Sequence, residues 1–232
     1  LAAAVFMLGE FAGAVDVELA QGPPHARRHT VTTSSGTEDP VPANQMPRVR
    51  GAVTITVEGD KRVIRGNGVP NHKVGAFPNR GNPHTIGAQS KVYKVPAHPV
   101  VAGQTTTLGH SNFGLGVNGV PFDPSAAEWY LGDRTSDWQY EPLSGAVPLG
   151  VDENNAHVQP NGAYHYHGLP TGLLNMLKMD STSHSPLVGW AADGFPIYAM
   201  YGYAKGDDTA SPVRELRSSH RVKKGNRASG GD

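Results

Sequence analysis

Glycine and proline interrupt this chain so often that long helices are disfavoured from the start. There are 29 Gly and 19 Pro in 232 residues. Glycine loses the most backbone freedom on folding, and proline removes a helix donor, so both residues favour turns over helical interiors. Between them lie short apolar runs, which suit strands joined by structured loops. A chain of 232 residues can bury one substantial core but is short for two full domains. The expectation is a mainly β fold: a single sandwich-like or compact-barrel-like domain with long Gly/Pro/Asn-rich loops and one or two short helices.

Charge and composition narrow the function classes. Lys plus Arg and Asp plus Glu both total 20, so the formal net charge is zero. A neutral chain has no general electrostatic footprint for nucleic acid or an anionic membrane. The absence of cysteine excludes disulfide scaffolds, thiolate zinc sites and cysteine nucleophiles. Eleven histidines are the unusual figure, because imidazole titrates near neutrality and is a common metal ligand.

The beginning of the chain reads as a targeting remnant. Residues 1–8 are apolar, and Ala12-Gly13-Ala14 forms a small-residue cleavage pattern. The run is far shorter than the ~20 residues of a membrane-spanning helix, and it resembles the core of a signal peptide. Glu10 fits that reading poorly, and the competing one is a short helix packed on the domain. We assign residues 1–14 to a signal-peptide remnant and 15–47 to a flexible linker or arm. The domain takes residues 48–213, and 214–232 form a basic, Gly-rich tail of a chain that stops before its domain is finished. The expected compartment is extracellular or periplasmic, with no transmembrane anchor once the signal is removed.

Within the domain, Val53, Ile55 and Val57 alternate with Thr54, Thr56 and Glu58, the pattern of a half-buried strand. Glu58-Gly59-Asp60 supplies a turn, and residues 61–65 return as its partner. Residues 91–95 and 105–108 also read as strands. Helical turns are expected at 125–130, started by Asp123-Pro124, and at 170–179, with Leu173, Leu174 and Leu177 on the buried face.

The strongest chemical signal is His157-Val158-Gln159-Pro160-Asn161-Gly162-Ala163-Tyr164-His165-Tyr166-His167. Proline presets the first central φ of a type I turn, and glycine takes the left-handed position after it. That combination is the three-residue hairpin loop with a bulge. In this register His157 faces His165, Val158 faces Tyr164 and Asn155 faces His167. Cross-strand partners and residues two apart share a face. His157, His165 and His167 would then converge on one face, and Val158, Tyr164 and Tyr166 would enter the core from the other. Three imidazoles so placed can hold one ion at ~2.0–2.1 Å per bond, with further positions open. A slip to a two-residue turn would pair His157 with Tyr164 and scatter the cluster. The competing reading is three hydrogen-bonding side chains on a wet sheet face.

These residues resemble the YHYH domain family. The resemblance rests on Tyr164-His165-Tyr166-His167, on Gly68-Val69-Pro70-Asn71-His72, and on Val117-Asn118-Gly119-Val120-Pro121-Phe122-Asp123-Pro124. It continues through Asn154-Asn155-Ala156-His157, His167-Gly168-Leu169-Pro170 and Trp190-Ala191-Ala192-Asp193-Gly194-Phe195-Pro196, and so covers most of residues 50–222. It implies an exported or surface-associated bacterial protein, and no established activity comes with it.

Other candidates are weaker. Asp193 lies in a tight turn and is expected as a fourth ligand, a partner to a histidine or a general base, against the commoner role of capping its own turn. His110 could approach the site, His72 or His84 could line a pocket, and His184 reads as loop surface. Trp129, Tyr130, Trp138 and Tyr140 suit a core cluster better than a sugar platform. There is no Gly-x-Ser-x-Gly elbow and no Gly-Lys-Ser/Thr phosphate loop.

The resulting expectation is an exported metal-binding domain carrying a divalent transition metal, zinc or copper, on His157, His165 and His167. Asp193 is its candidate catalytic group. Zinc would suit hydrolysis, and copper would suit oxidation or electron transfer. The rivals are a non-enzymatic envelope or adhesive module and a purely structural histidine cluster. The partner is an unidentified small molecule or an envelope component, not nucleic acid.

Overall fold

The computed structural model describes residues 39–135 and 138–218. The proposed signal remnant, residues 15–38 of the arm and residues 219–232 of the tail lie outside the described residues. The architecture is mainly β, in three sheets with one short helix and no closed barrel among the described residues.

The first sheet is three-stranded and antiparallel, built from β1 (Val53–Glu58), β2 (Lys61–Gly66) and β3 (Lys91–Pro96) in that order. The β1–β2 turn pairs Glu58 with Lys61 and places Gly59 at φ 63°. A positive φ at the first central position is a conformation that glycine adopts without steric cost. Burial departs from the sequence reading here. Strand β1 is exposed at every position but Ile55, while Val63 and Ile64 of β2 are buried. The alternation of β1 is genuine, but the strand sits at the sheet edge, where neither face is fully covered.

The second sheet holds the centre of the molecule. Its strands are β4 (Gly114–Gly116), β5 (Pro121–Phe122), β6 (Ala156–Val158), β7 (Tyr164–Tyr166), β8 (Leu187–Ala191) and β9 (Pro196–Tyr198), in the order β6-β7-β5-β4-β8-β9. All neighbours are antiparallel except β5 and β7, which pair in parallel through Phe122 and Tyr166. The first sheet leans on this one. Arg62 lies 4.6 Å from the centroid of Trp190, and Val53 packs on Gly119. A two-stranded ribbon of β10 (Tyr201–Tyr203) and β11 (Val213–Glu215) completes the described chain.

The core joins Val120, Phe122, Val158, Tyr164, Tyr166, Leu173, Leu174 and Val188, with Leu177 packed against it. Helix α1 (Thr171–Met176) contributes Leu173 and Leu174, and Leu177 follows at its C-cap. Residues 125–130 form no α-helix. The Asp123 carboxylate accepts the Ser125 N–H at 2.9 Å instead, and only a 3-10 turn follows at Tyr130–Gly132. Residues 105–108 form no strand. Trp129, Tyr130, Trp138 and Tyr140 are half-buried in a loop rather than core. Residues 39–47 are bridged to the domain, with Val41 paired to Asp152 and Gln45 to Val74.

Candidate metal centre

The β6–β7 hairpin has the register that its turn chemistry dictates. His157 pairs with His165 and Val158 with Tyr164, and the His167 N–H donates to the Asn155 carbonyl at 2.7 Å. Gly162 has φ 86°, its N–H donates to Gln159 O at 2.8 Å, and the Gln159 N–H donates to Ala163 O at 2.9 Å. This is a type I turn followed by a left-handed residue, the bulged three-residue loop.

Strand β7 therefore divides its side chains between two environments. Tyr164 and Tyr166 are fully buried on the core side. The Tyr164 hydroxyl donates to the Asp152 carboxylate at 2.9 Å. That carboxylate is fully buried and also accepts the Gly75 and Asn154 backbone N–H groups and the Asn154 side-chain amide. His72 contacts the Tyr166 hydroxyl at 2.6 Å and the Lys73 carbonyl at 2.7 Å, and Asn118 donates to the same hydroxyl. Buried polar groups are tolerated when they are satisfied in this way. Gly172 of α1 lets the helix approach, because a Cβ there would lie 2.5 Å from the His72 ring.

The opposite side carries the three histidines. His165 Nε2 lies 3.0 Å from His167 Nε2, which lies 3.2 Å from His157 Nε2. One ligand atom from each ring falls within 4.8 Å of the others. On the far side of each ring, Nδ1 faces a backbone carbonyl: Leu149 at 3.0 Å from His157, Ala163 at 3.3 Å from His165 and Asp123 at 2.9 Å from His167. A carbonyl can only accept, so each Nδ1 carries the proton. Each Nε2 is left with a lone pair, and the lone pairs converge. This is how proteins orient metal-binding imidazoles: the far N–H is tied to a carbonyl and the near nitrogen is freed. A tetrahedral ion with bonds of ~2.0–2.1 Å separates its nitrogens by ~3.3–3.4 Å, close to the spacing found here.

Burial holds the rings in their neutral, ligating form. Desolvation lowers His157 to about 4 and His167 to about 3. His165, only 3% exposed, is pushed well below the usual imidazole range by desolvation and by its two neighbours. His84 is close enough to His157 for a charge on one to disfavour a charge on the other. Its loop is pinned by Asn82, which donates to the Val158 carbonyl at 2.9 Å. Sequence reading ranked His84 as weak because nothing local ties Asn82 to β6.

The remaining candidates sit elsewhere. Asp193 does not join the imidazole group. It is 3% exposed in the β8–β9 turn, one oxygen accepts the Phe195 N–H at 3.2 Å, and the other is buried without a hydrogen bond. Desolvation raises its carboxyl above the ordinary range. His110 packs edge-on against Trp129 and lies near the Asp123 carboxyl. His184 is not simple loop surface: it is half-buried between Tyr198 and Tyr203. An apolar cavity of about 180 Å³ adjoins His167, walled by Phe113, Phe122, Leu174, Val188 and Ile197.

Fold and site together define a β protein with three imidazoles, one buried and two half-buried, converging from one bulged hairpin. The family model described as YHYH protein matches residues 92–231, and the chain belongs to that family. No curated protein and no solved structure matches it.

Proposed function

We propose that this protein binds one divalent transition metal ion, zinc or copper, through Nε2 of His157, His165 and His167. The carrying observation is the convergence of the three Nε2 atoms, with His167 3.0 Å from His165 and 3.2 Å from His157, while every Nδ1 faces a carbonyl. Three lone pairs that close repel one another unless they share a cation. A three-ligand site keeps coordination positions open, which is the pattern of catalytic rather than structural zinc. Bound zinc would supply a water acidified for hydrolysis, and bound copper a redox centre. The histidines themselves orient the ion and, by their burial, keep competing protons off the ligand atoms.

Export to the periplasm or beyond is part of the same reading. It is supported by the apolar residues 1–8 with Ala12-Gly13-Ala14. Among the described residues no helix is long and apolar enough to cross a membrane.

Elemental analysis of the untagged protein tests the metal directly. About one equivalent per chain is expected, falling to background in the His165→Ala/His167→Ala variant. Wild-type protein that retains no metal after incubation with zinc or copper and desalting would refute the assignment.

A further inference from the structure

The edge of the first sheet carries a second, independent message. Among the described residues β1 pairs only with β2, so its outer edge is open. Five of its six residues are exposed, with Val57 at 61% and Val53 at 36%. Natural sheets guard such edges with lysine, proline or bulges. None of these interrupts Val53-Thr54-Ile55-Thr56-Val57.

The direction of the free backbone groups follows from the hairpin. A two-residue loop closes on a hydrogen-bonded pair, here Glu58 with Lys61, and pairs alternate from there. Thr56 and Thr54 then bond inward to β2, and Ala52 continues the series: its N–H goes to the Asn67 side chain and its carbonyl accepts the Asn67 N–H. Val53, Ile55 and Val57 are left with N–H and C=O pointing out of the sheet.

The sequence along that edge is a palindrome centred on Ile55. We propose that a second copy of this chain adds to it antiparallel, about a two-fold axis through Ile55, making one continuous six-stranded sheet from the two three-stranded ones. Ile55 then faces Ile55 of the second copy in a hydrogen-bonded pair. Val53 faces Val57, and each of these outward residues both donates and accepts. Thr54 falls opposite Thr56, a favourable cross-strand pair, and no like charges oppose each other. A slip by one residue would set valine against threonine and lose the outward hydrogen bonds. Such an isologous contact closes on itself as a dimer. Two short strands bury less than the ~1,200–2,000 Å² of a standard interface, so the dimer is reversible, with a Kd on the order of micromolar.

Sedimentation of the purified chain over a concentration series tests this, with a doubling of the sedimenting mass expected. The Thr54→Lys/Thr56→Lys and Thr54→Glu/Thr56→Glu variants should each stay monomeric, and their equimolar mixture should recover the dimer, which also shows that both fold. In this cysteine-free chain, Ile55→Cys should form a disulfide-linked dimer under mild oxidation and Val57→Cys should not. A chain that is monomeric throughout, or a mixture that fails to associate, overturns the proposal. Slow amide exchange along β1 in such a monomer would assign the edge to a segment of the same chain. None of these readouts depends on metal.

Discussion

Tyr164 and His165 are neighbours in the chain and serve opposite sides of it. The tyrosine ties a buried carboxylate into the core, and the histidine offers a lone pair to the centre. Strand pleating alone separates the two roles. Burial of the histidines has a measurable consequence. His157 is held at about 4 and His167 at about 3, against ~6.5 for imidazole in the unfolded chain. Between those values the unfolded chain binds protons that the folded chain refuses, so stability rises with pH there. It is fully present above pH ~6.5 and is lost as the pH falls toward 4, by up to ~1.4 kcal/mol per pH unit for each ring. Chelator-treated protein should accordingly show a urea midpoint that falls steadily from pH 6.5 to 4.5. A midpoint constant over that range would mean that the rings are not buried as neutral groups.

At the scale of the element, the hairpin loop decides whether a centre exists. Pro160, Asn161 and Gly162 set a register in which every histidine lands on one face. Deleting Ala163 keeps the three-residue loop but moves β7 by one residue, so that His165 rather than Tyr164 faces Val158 and alternate side chains go to the other face. That variant should lose all bound metal by elemental analysis, and it should lose stability as well, since a tyrosine would leave the core. Retained stoichiometry would show that the register does not control the site. This hairpin was legible from sequence because turn chemistry and alternation are local. Strand β1 was legible as a strand, but not as exposed, because its place at the edge depends on where β3 pairs. Residues 125–130 carried a helix-start signal at Asp123-Pro124, yet the Asp123 side chain closes a turn of its own and the following segment pairs with the chain near Gln139.

The whole molecule links the centre to global stability. The carbonyls that orient the three rings come from three places: Ala163 in the hairpin, Leu149 in the preceding loop and Asp123 after β5. A metal that binds the assembled site and not the unfolded chain stabilises the fold by mass action. At free metal of about 100 times Kd the gain is about 2.7 kcal/mol, or a rise in Tm of about 5–10 °C for a domain of this size. Differential scanning fluorimetry with zinc and then excess chelator should show that rise and its reversal. Absence of a shift in protein with all three histidines, beside a clear shift in a known zinc protein, would count against the site.

By itself the sequence determined the β class, the absence of thiol chemistry, the bulged hairpin and the face shared by His157, His165 and His167. Each of these depends on residue type and on neighbours a few positions away. Only the tertiary structure decided that His165 is buried and His157 and His167 half-buried, that their outer nitrogens face carbonyls, and that Asp193 is not a member of the three-histidine group. Those facts depend on contacts such as His167 with Asp123, 44 residues away, and on how β5 and β7 align. Local patterning encodes which way a side chain points, while long-range packing sets what it meets there.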